Sequence, residues 1–286
     1  MLIAILAGVS LGSLYAMVAF VYNVMYSTSK VLSLGTGQFA MAGGILGAWF
    51  LGSLAVPLWA TLLLVAAGGA AFGWLTEVIA VRRTMRGGGD EHLWVLSTLA
   101  LSTIVQQAMG LWWGTEPTPF PRLFPQDYAG LLDQKYWLPI AFAFASALAV
   151  EWFYRRTLHG KIFVALSDDT LAVQALGIPA ARMRALSYAI AGGLGALAGF
   201  SAGQLTYAYF ALGLTLTLNG FIALAIGGIG SNFGSLLGGL LLGLMTSLTA
   251  YLFGSEFQQT IAIGTLILFL IARPAGLFGA QRVRQV

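Results

Sequence analysis

Long stretches of this chain carry no charged side chain, and their lengths predict its elements. No charge separates Met1 from Lys30, and residues 31–76 form a second uncharged run of 46 positions. Further runs cover 93–115, 136–150, 185–255 and 257–272. An apolar helix needs about 20 residues to cross a bilayer. Residues 1–26 therefore predict one span, and 31–76 predict two, parted near Pro57. Residues 93–115 and 136–150 predict one each, the second completed by Lys135, Arg155 and Arg156 reaching to the headgroups. The 71 residues of 185–255 leave room for three, of which 214–230 is short, bounded by glycine and open to a re-entrant reading. Residues 257–272 predict the last.

Basic residues then orient the spans. Lys30; Arg82, Arg83 and Arg86; Arg155, Arg156 and Lys161; Arg182 and Arg184; and Arg273, Arg282 and Arg284 hold 12 of the 14 Lys and Arg. Such residues gather in cytoplasmic loops. The other two, Arg122 and Lys135, lie in 114–135 with Glu116, Asp127, Asp133 and four prolines, which reads as an external loop. Parity puts the N-terminus outside and the C-terminus in the cytoplasm, with about eight or nine spans. Residues 155–184 form the one sizeable cytoplasmic loop. The fold class expected is all-α: one polytopic transmembrane helix bundle over 1–286, with interrupted helices.

Composition agrees. The chain is 58% hydrophobic and 8% charged, against about 25% charged in soluble domains, so most of its surface must face lipid. The absence of cysteine excludes disulfides, iron–sulfur clusters and thiolate zinc sites. His92 and His159 are too few for a metal site. The net charge of +4 is spread over the topology clusters, not over a nucleic-acid surface. The apolar N-terminus lacks the basic stretch of a cleaved signal peptide, so a retained first span is expected.

Many of the 37 glycines recur at four-residue spacing, as in Gly8/Gly12, Gly195/Gly199/Gly203 and Gly239/Gly243, which predicts closely packed helices. Leu34-Gly-Thr-Gly-Gln-Phe39 and Ala225-Ile-Gly-Gly-Ile-Gly-Ser-Asn-Phe233 each crowd glycines beside an amide and a phenylalanine. Interrupted helices in matching places of two halves mark a transport path. The candidate path residues are Gly35, Gly37 and Gln38 in the first stretch, and Gly228, Gly230 and Asn232 in the second. Thr103 and Gln107, four apart on the fourth span, form a hydroxyl–amide stripe for the same path or for helix–helix hydrogen bonds. Asn219 joins these neutral polar groups within spans.

No carboxylate, His, Lys or Arg falls in mid-span. Glu77 and Glu151 lie about one turn before Arg82 and Arg155, which predicts helix-surface pairs at the cytoplasmic edge. Proton-coupled carriers and intramembrane hydrolases need a titratable group at depth. No phosphate-binding loop is present, because Gly160-Lys161 is followed by Ile162. Sodium coupling through carbonyls and hydroxyls stays open; otherwise the energy for active transport is expected from a partner. The cytoplasmic loop offers a docking element over about 165–178. Ser167 is its expected N-cap, Asp168 and Asp169 sit at its positive end, and Leu171, Ala175 and Leu176 share a face. Gly177 supplies the stop before Ile178. A short amphipathic helix of this kind suits a groove on a soluble partner.

Four motifs carry a resemblance over essentially the whole chain. They are Gly8-Val-Ser-Leu-Gly-Ser-Leu-Tyr-Ala16, Ala175-Leu-Gly-Ile178, Gly227-Gly-Ile-Gly-Ser231 and Arg273-Pro-Ala-Gly-Leu-Phe278. Together they resemble the permease subunits of branched-chain amino-acid-type ABC importers, the LivH/LivM group, and most resemble the LivH side. The resemblance implies a channel-forming subunit in the inner (plasma) membrane that works by alternating access. It also implies a second homologous permease making a heterodimer, two cytoplasmic ATPase subunits that hold ATP and Mg, and an extracytoplasmic substrate-binding protein. No cofactor is implied for this chain, which would not be an enzyme. Residues Ser167, Asp168, Asp169, Leu171, Ala175, Leu176, Gly177 and Ile178 would form the coupling helix. The chain departs from the family where Gln38 stands for an acid and Asn219 for a lysine. Substrates left open are branched-chain or other hydrophobic amino acids, urea or short amides, and small carboxylates. A carrier or channel working without an ATPase is the alternative, and an intramembrane enzyme ranks last.

Overall fold

The computed structural model describes residues 1–86, 91–121, 123 and 133–279. Much of the expected external loop, Arg122 and Asp127 included, lies outside the described residues, as do Arg282 and Arg284. Among the described residues the regular structure is helical, apart from one antiparallel bridge between Thr118 and Ala208.

The helices are α1 (Leu2–Ser29), α2 (Thr36–Gly52), α3 (Leu58–Thr76), α4 (Arg82–Arg86), α5 (Glu91–Trp113) and α6 (Gln134–Arg156). They continue with α7 (Leu158–Asp168), α8 (Thr170–Ala175), α9 (Ala180–Thr206), α10 (Leu212–Gly227), α11 (Asn232–Phe253) and α12 (Gln258–Ala272). A π-helical turn, Glu77–Val81, joins α3 to α4 without a break. Seven segments are long and apolar enough to cross a membrane: α1, Leu58–Met85, α5, α6, α9, α11 and Ser255–Ala272.

Two apolar helices fall short. α2 has 17 residues and α10 has 16; at 1.5 Å per residue they reach about 26 and 24 Å, less than a hydrocarbon core of about 30 Å. The break near Pro57 is where it was expected, with Pro57 as the extended residue preceding α3. Both short helices are entered through non-helical chain, 30–35 after α1 and 207–211 after α9. The order long, short, long therefore occurs twice, as α1–α2–α3 and as α9–α10–α11.

The core forms where backbones touch. α1 and α9 are the buried helices of the bundle: Phe20, Val21, Tyr188 and Phe200 are sealed from the surface. Thr28 lies against Ser187, and Met17 packs with Ala198, so α9 runs antiparallel to α1. Gly8 and Gly12 of α1 meet Gly239 and Gly243 of α11 backbone to backbone, and a Cβ at Gly199 of α9 would collide with the carbonyl of Ala40 in α2. The four-residue glycine spacing is thus a set of helix crossings without side chains between them. α5 and α12 are the opposite case and expose most of their apolar side chains.

Candidate functional site

The first turns of the two short helices meet inside the bundle. Lys30 ends α1 in the left-handed region at φ 58°, and the chain runs without helical bonds to Gly35, which precedes α2. Gly37 N–H donates to Thr217 Oγ1 at 2.9 Å, and Thr217 Oγ1 donates to the Gly213 carbonyl of its own helix at 2.8 Å. Tyr22 OH donates to the Thr217 carbonyl at 3.2 Å. A side chain at Gly37 would strike Gly213 O. α2 runs parallel to α9, while α10 runs antiparallel to α11 and parallel to α1, so the two helices leave this meeting point in opposite directions.

The meeting point is polar, neutral and buried. Gln38 Nε2 donates to Gln106 Oε1 of α5 at 3.4 Å. Gln38 Oε1, Thr36 Oγ1 and Asn219 Oδ1 are buried without a hydrogen-bond partner in the chain. A buried polar group left unpaired costs about 1–3 kcal/mol, and these three oxygens remain able to accept a hydrogen bond. Asn219 itself turns back on α10, Nδ2 donating to Thr215 O at 3.1 Å. Thr103 and Gln107 do not join this cluster. Both are exposed on the outer side of α5 beside Ile104 and Leu111, and Thr103 Oγ1 donates to its own Leu99 O. Thr98, Ser102 and Gln106 hold the inward side instead, one helical face away.

The second glycine stretch is a separate structure, at the C-terminal ends of α1 and α10. Gly228 (φ 100°) ends α10, and Gly230 (φ 90°) turns the chain toward α11; both conformations exclude an ordinary side chain at little cost only for glycine. Asn23 of α1 grips this turn. Its Oδ1 accepts from Gly230 N–H at 2.9 Å, and its Nδ2 donates to Ser231 O at 3.2 Å and Ser235 Oγ at 2.8 Å. The end of the chain caps α10 from the other side: Leu277 N–H donates to Ile226 O at 2.8 Å, and Phe278 N–H to Gly227 O at 3.0 Å. The Phe278 ring stands edge-on to Phe233 at 5.4 Å. Two motifs nearly fifty residues apart, 227–231 and 273–278, are therefore one folded unit. Asn232, Gly230 and Ser231 face a cavity of about 570 Å³ shared with Lys30, Ser167 and Asp168.

A short helix does lie within 165–178, but it begins later than expected, at Thr170. α7 starts at Thr157, whose Oγ1 accepts from Gly160 N–H at 3.0 Å, and runs through Ser167 because Phe163 and Leu166 keep a buried face on the bundle. Ser167 is therefore in the last turn of α7 and is no N-cap. The chain turns at Asp169, and Asp169 Oδ1 accepts from Leu171 N–H at 2.8 Å and Ala172 N–H at 3.0 Å to cap α8. A carboxylate there also offsets the positive helix end. Asp168 closes α7 and is exposed. Gly177 (φ 81°) stops the chain after α8. Val173 anchors the short helix inward and Ile178 is half-buried, while Ala175 is exposed and Leu171 and Leu176 are 77% and 79% exposed.

Two contacts had no clear sequence signal. Lys30 Nζ donates to the carbonyl and the hydroxyl of Ser167, tying the end of α1 to the end of α7. Glu77 is fully buried, with Arg184 Nε of α9 at 2.9 Å from Oε1 and Arg82 Nε at 3.5 Å from Oε2. It is an interhelical anchor, not a surface pair of α3. Glu151 and Arg155 do form the exposed pair expected of them. Among the described residues no group of three or more acidic or histidine side chains could hold a metal ion.

Comparison with known proteins bears on this arrangement. Residues 4–270 match the model of a family described as the permease component of the branched-chain amino acid transport system. The high-affinity branched-chain amino acid transport system permease protein LivH of Salmonella typhimurium is 27% identical, over 98% of this chain and 96% of the relative. The corresponding protein BraD of Pseudomonas aeruginosa is also 27% identical, with the same coverage. Among solved structures, PsaBC from Streptococcus pneumoniae in complex with a Fab is similar in fold. The TM-score is 0.52 at 12% identity, covering 93% of this chain and 89% of that one.

Proposed function

This chain belongs to the family of branched-chain amino acid transport system permease components, and from that membership we propose that it forms one wall of an ATP-driven import path whose motive force enters at α8. It is a transporter subunit and not an enzyme, in the inner (plasma) membrane. The single observation that carries the coupling role is the exposed pair Leu171 and Leu176, the first on α8 and the second at its C-terminal end, on an element otherwise fixed by Val173 and the Asp169 cap. Two exposed leucines on so short an element fit a groove on a cytoplasmic ATPase. Asp168, Asp169, Ala175, Gly177 and Ile178 shape that element, and Ser167 roots it.

The solute crosses beside the meeting point of α2 and α10, where the chain supplies neutral donors and acceptors. Gln38, Gln106, Thr217 and Asn219 suit a small polar metabolite such as a branched-chain amino acid. The two amides at Gln38 and Asn219 favour a second substrate reading, urea or a short amide carried by the same machine. A homologous permease completes the path, two ATPases hold ATP and Mg, and an extracytoplasmic binding protein delivers the solute. Nucleotide-driven alternating access moves the two halves.

The test is reconstitution with the ATPases and binding protein in proteoliposomes. Leu171→Asp with Leu176→Asp is expected to cut ATP-dependent uptake at least tenfold and to stop the ATPases from copurifying. Full uptake by that variant, or accumulation with no ATPase present, overturns the coupling role.

A further inference from the structure

We infer that Lys30 is a positioning residue that transmits movement of the α7–α8 junction to the start of α2, and so links the coupling element to the solute path. The inference rests on α8 being the ATPase-docking helix.

Lys30 stands at a turning point. Its N–H closes α1 on Tyr26 O at 3.0 Å, and its own backbone is left-handed at φ 58°. That conformation is costly for a lysine and cheap for glycine or asparagine. What the lysine adds there is reach. Its ammonium crosses to the last turn of α7, donating to the carbonyl of Ser167 and, at 3.0 Å, to its hydroxyl. Ser167 is two residues before Asp169, whose carboxylate caps α8. Bonds from a charged donor in a partly buried place are about twice as strong as neutral ones. Any displacement of α8 therefore arrives at Lys30 through three covalent links and one ionic hydrogen-bond pair.

Beyond Lys30 the chain is built to pass displacement on. Residues 31–33 carry no regular secondary structure and 34–35 form a turn into α2, so the link from Lys30 to α2 is only five residues long. It ends at Gly35 and Gly37, where Gly37 N–H holds Thr217 of α10. Lys30 also lies on the same helix as Asn23, which grips the turn between α10 and α11. The cavity of about 570 Å³ bordered by Lys30, Ser167, Asp168, Asn23 and Gly230 leaves space on one side of the junction for it to shift. One cation at the end of α1 thus stands between the docking helix and both glycine stretches.

Three substitutions separate reach from backbone shape in the assembled transporter. Lys30→Asn keeps a residue suited to the left-handed conformation but cannot reach Ser167; Lys30→Gln shortens the reach; Lys30→Arg retains it. The expected result is that Asn and Gln lower solute imported per ATP hydrolysed at least tenfold, with hydrolysis held within about threefold, while Arg restores half or more of the ratio. A second readout uses the cysteine-free chain: Leu32→Cys should change its rate of modification by a membrane-impermeant maleimide when ATP is added, and should lose that response with Lys30→Asn. A normal transport ratio in Lys30→Asn, or an unchanged Leu32→Cys response, overturns the inference. If Leu171→Asp with Leu176→Asp also transports normally, the docking role of α8 has failed; if only the Lys30 variants do, the failure is of Lys30 alone.

Discussion

Glu77 is a fully buried carboxylate in a chain only 8% of whose residues are charged. It survives because two guanidinium groups surround it, Arg184 from α9 and Arg82 from its own helix. Removing one member of a buried ion pair costs about 3–5 kcal/mol, whereas removing the whole set costs far less. Arg184 and Arg82 keep some exposure, so Glu77→Gln is expected to cost about 2–3 kcal/mol, seen as a lower melting temperature in detergent. Adding Arg184→Met to Glu77→Gln should cost less than the sum of the two single changes. The sequence showed an acid and a base near the cytoplasmic edge and paired them along one helix. The spacing of five, 77 to 82, is one too many for that pairing. The π-helical turn that accommodates it has no compositional sign, and a partner more than a hundred residues away in α9 is set by the tertiary fold. Asn23 is the same case: an amide within a span was visible, but its three bonds to the 230–235 turn depend on α11 lying against α1.

At the scale of elements, helix length and glycine contact decide how the bundle works. Charge-free runs and prolines were enough to find the long helices and the break at Pro57. The same runs could not reveal that α2 begins only at Thr36, because the extended chain before it is as apolar as the helix after it. Nor could glycine spacing tell which glycines bear a backbone and which face lipid. The structure separates them. A Cβ at Gly199 meets the Ala40 carbonyl, and one at Gly37 meets the Gly213 carbonyl, while one at Gly264 in α12 meets nothing. Gly199→Ala and Gly37→Ala are therefore expected to reduce the yield of monodisperse protein severalfold on size-exclusion chromatography. Gly264→Ala should leave it unchanged or raise the melting temperature, since alanine is the better helix former by about 1 kcal/mol. The short helix α8 was legible as composition but displaced by a cap: Ser167 and Asp169 both suit that role, and burial of Leu166 decided for Asp169.

For the whole molecule, α5 and α12 both expose most of their apolar side chains but differ in what else they turn outward. The middle of α12 turns Ile263, Ile267, Leu268 and Ile271 outward, a surface that lipid satisfies. α5 turns Thr103 and Gln107 outward among leucines, and an amide left facing hydrocarbon is costly. A second permease seated against α5 would pair these groups and put them back on the solute path. Because the chain has no native cysteine, single cysteines report on this directly. Gln107→Cys should crosslink to the companion permease in intact membranes, and Ile271→Cys should not. The cap that residues 277 and 278 place on α10 has a consequence for biogenesis. The turn between α10 and α11 can be secured on both sides only after residues 277 and 278 have left the ribosome. A nascent chain released before Leu277 would carry α1 to α12 and still leave the Ile226 and Gly227 carbonyls without these two bonds.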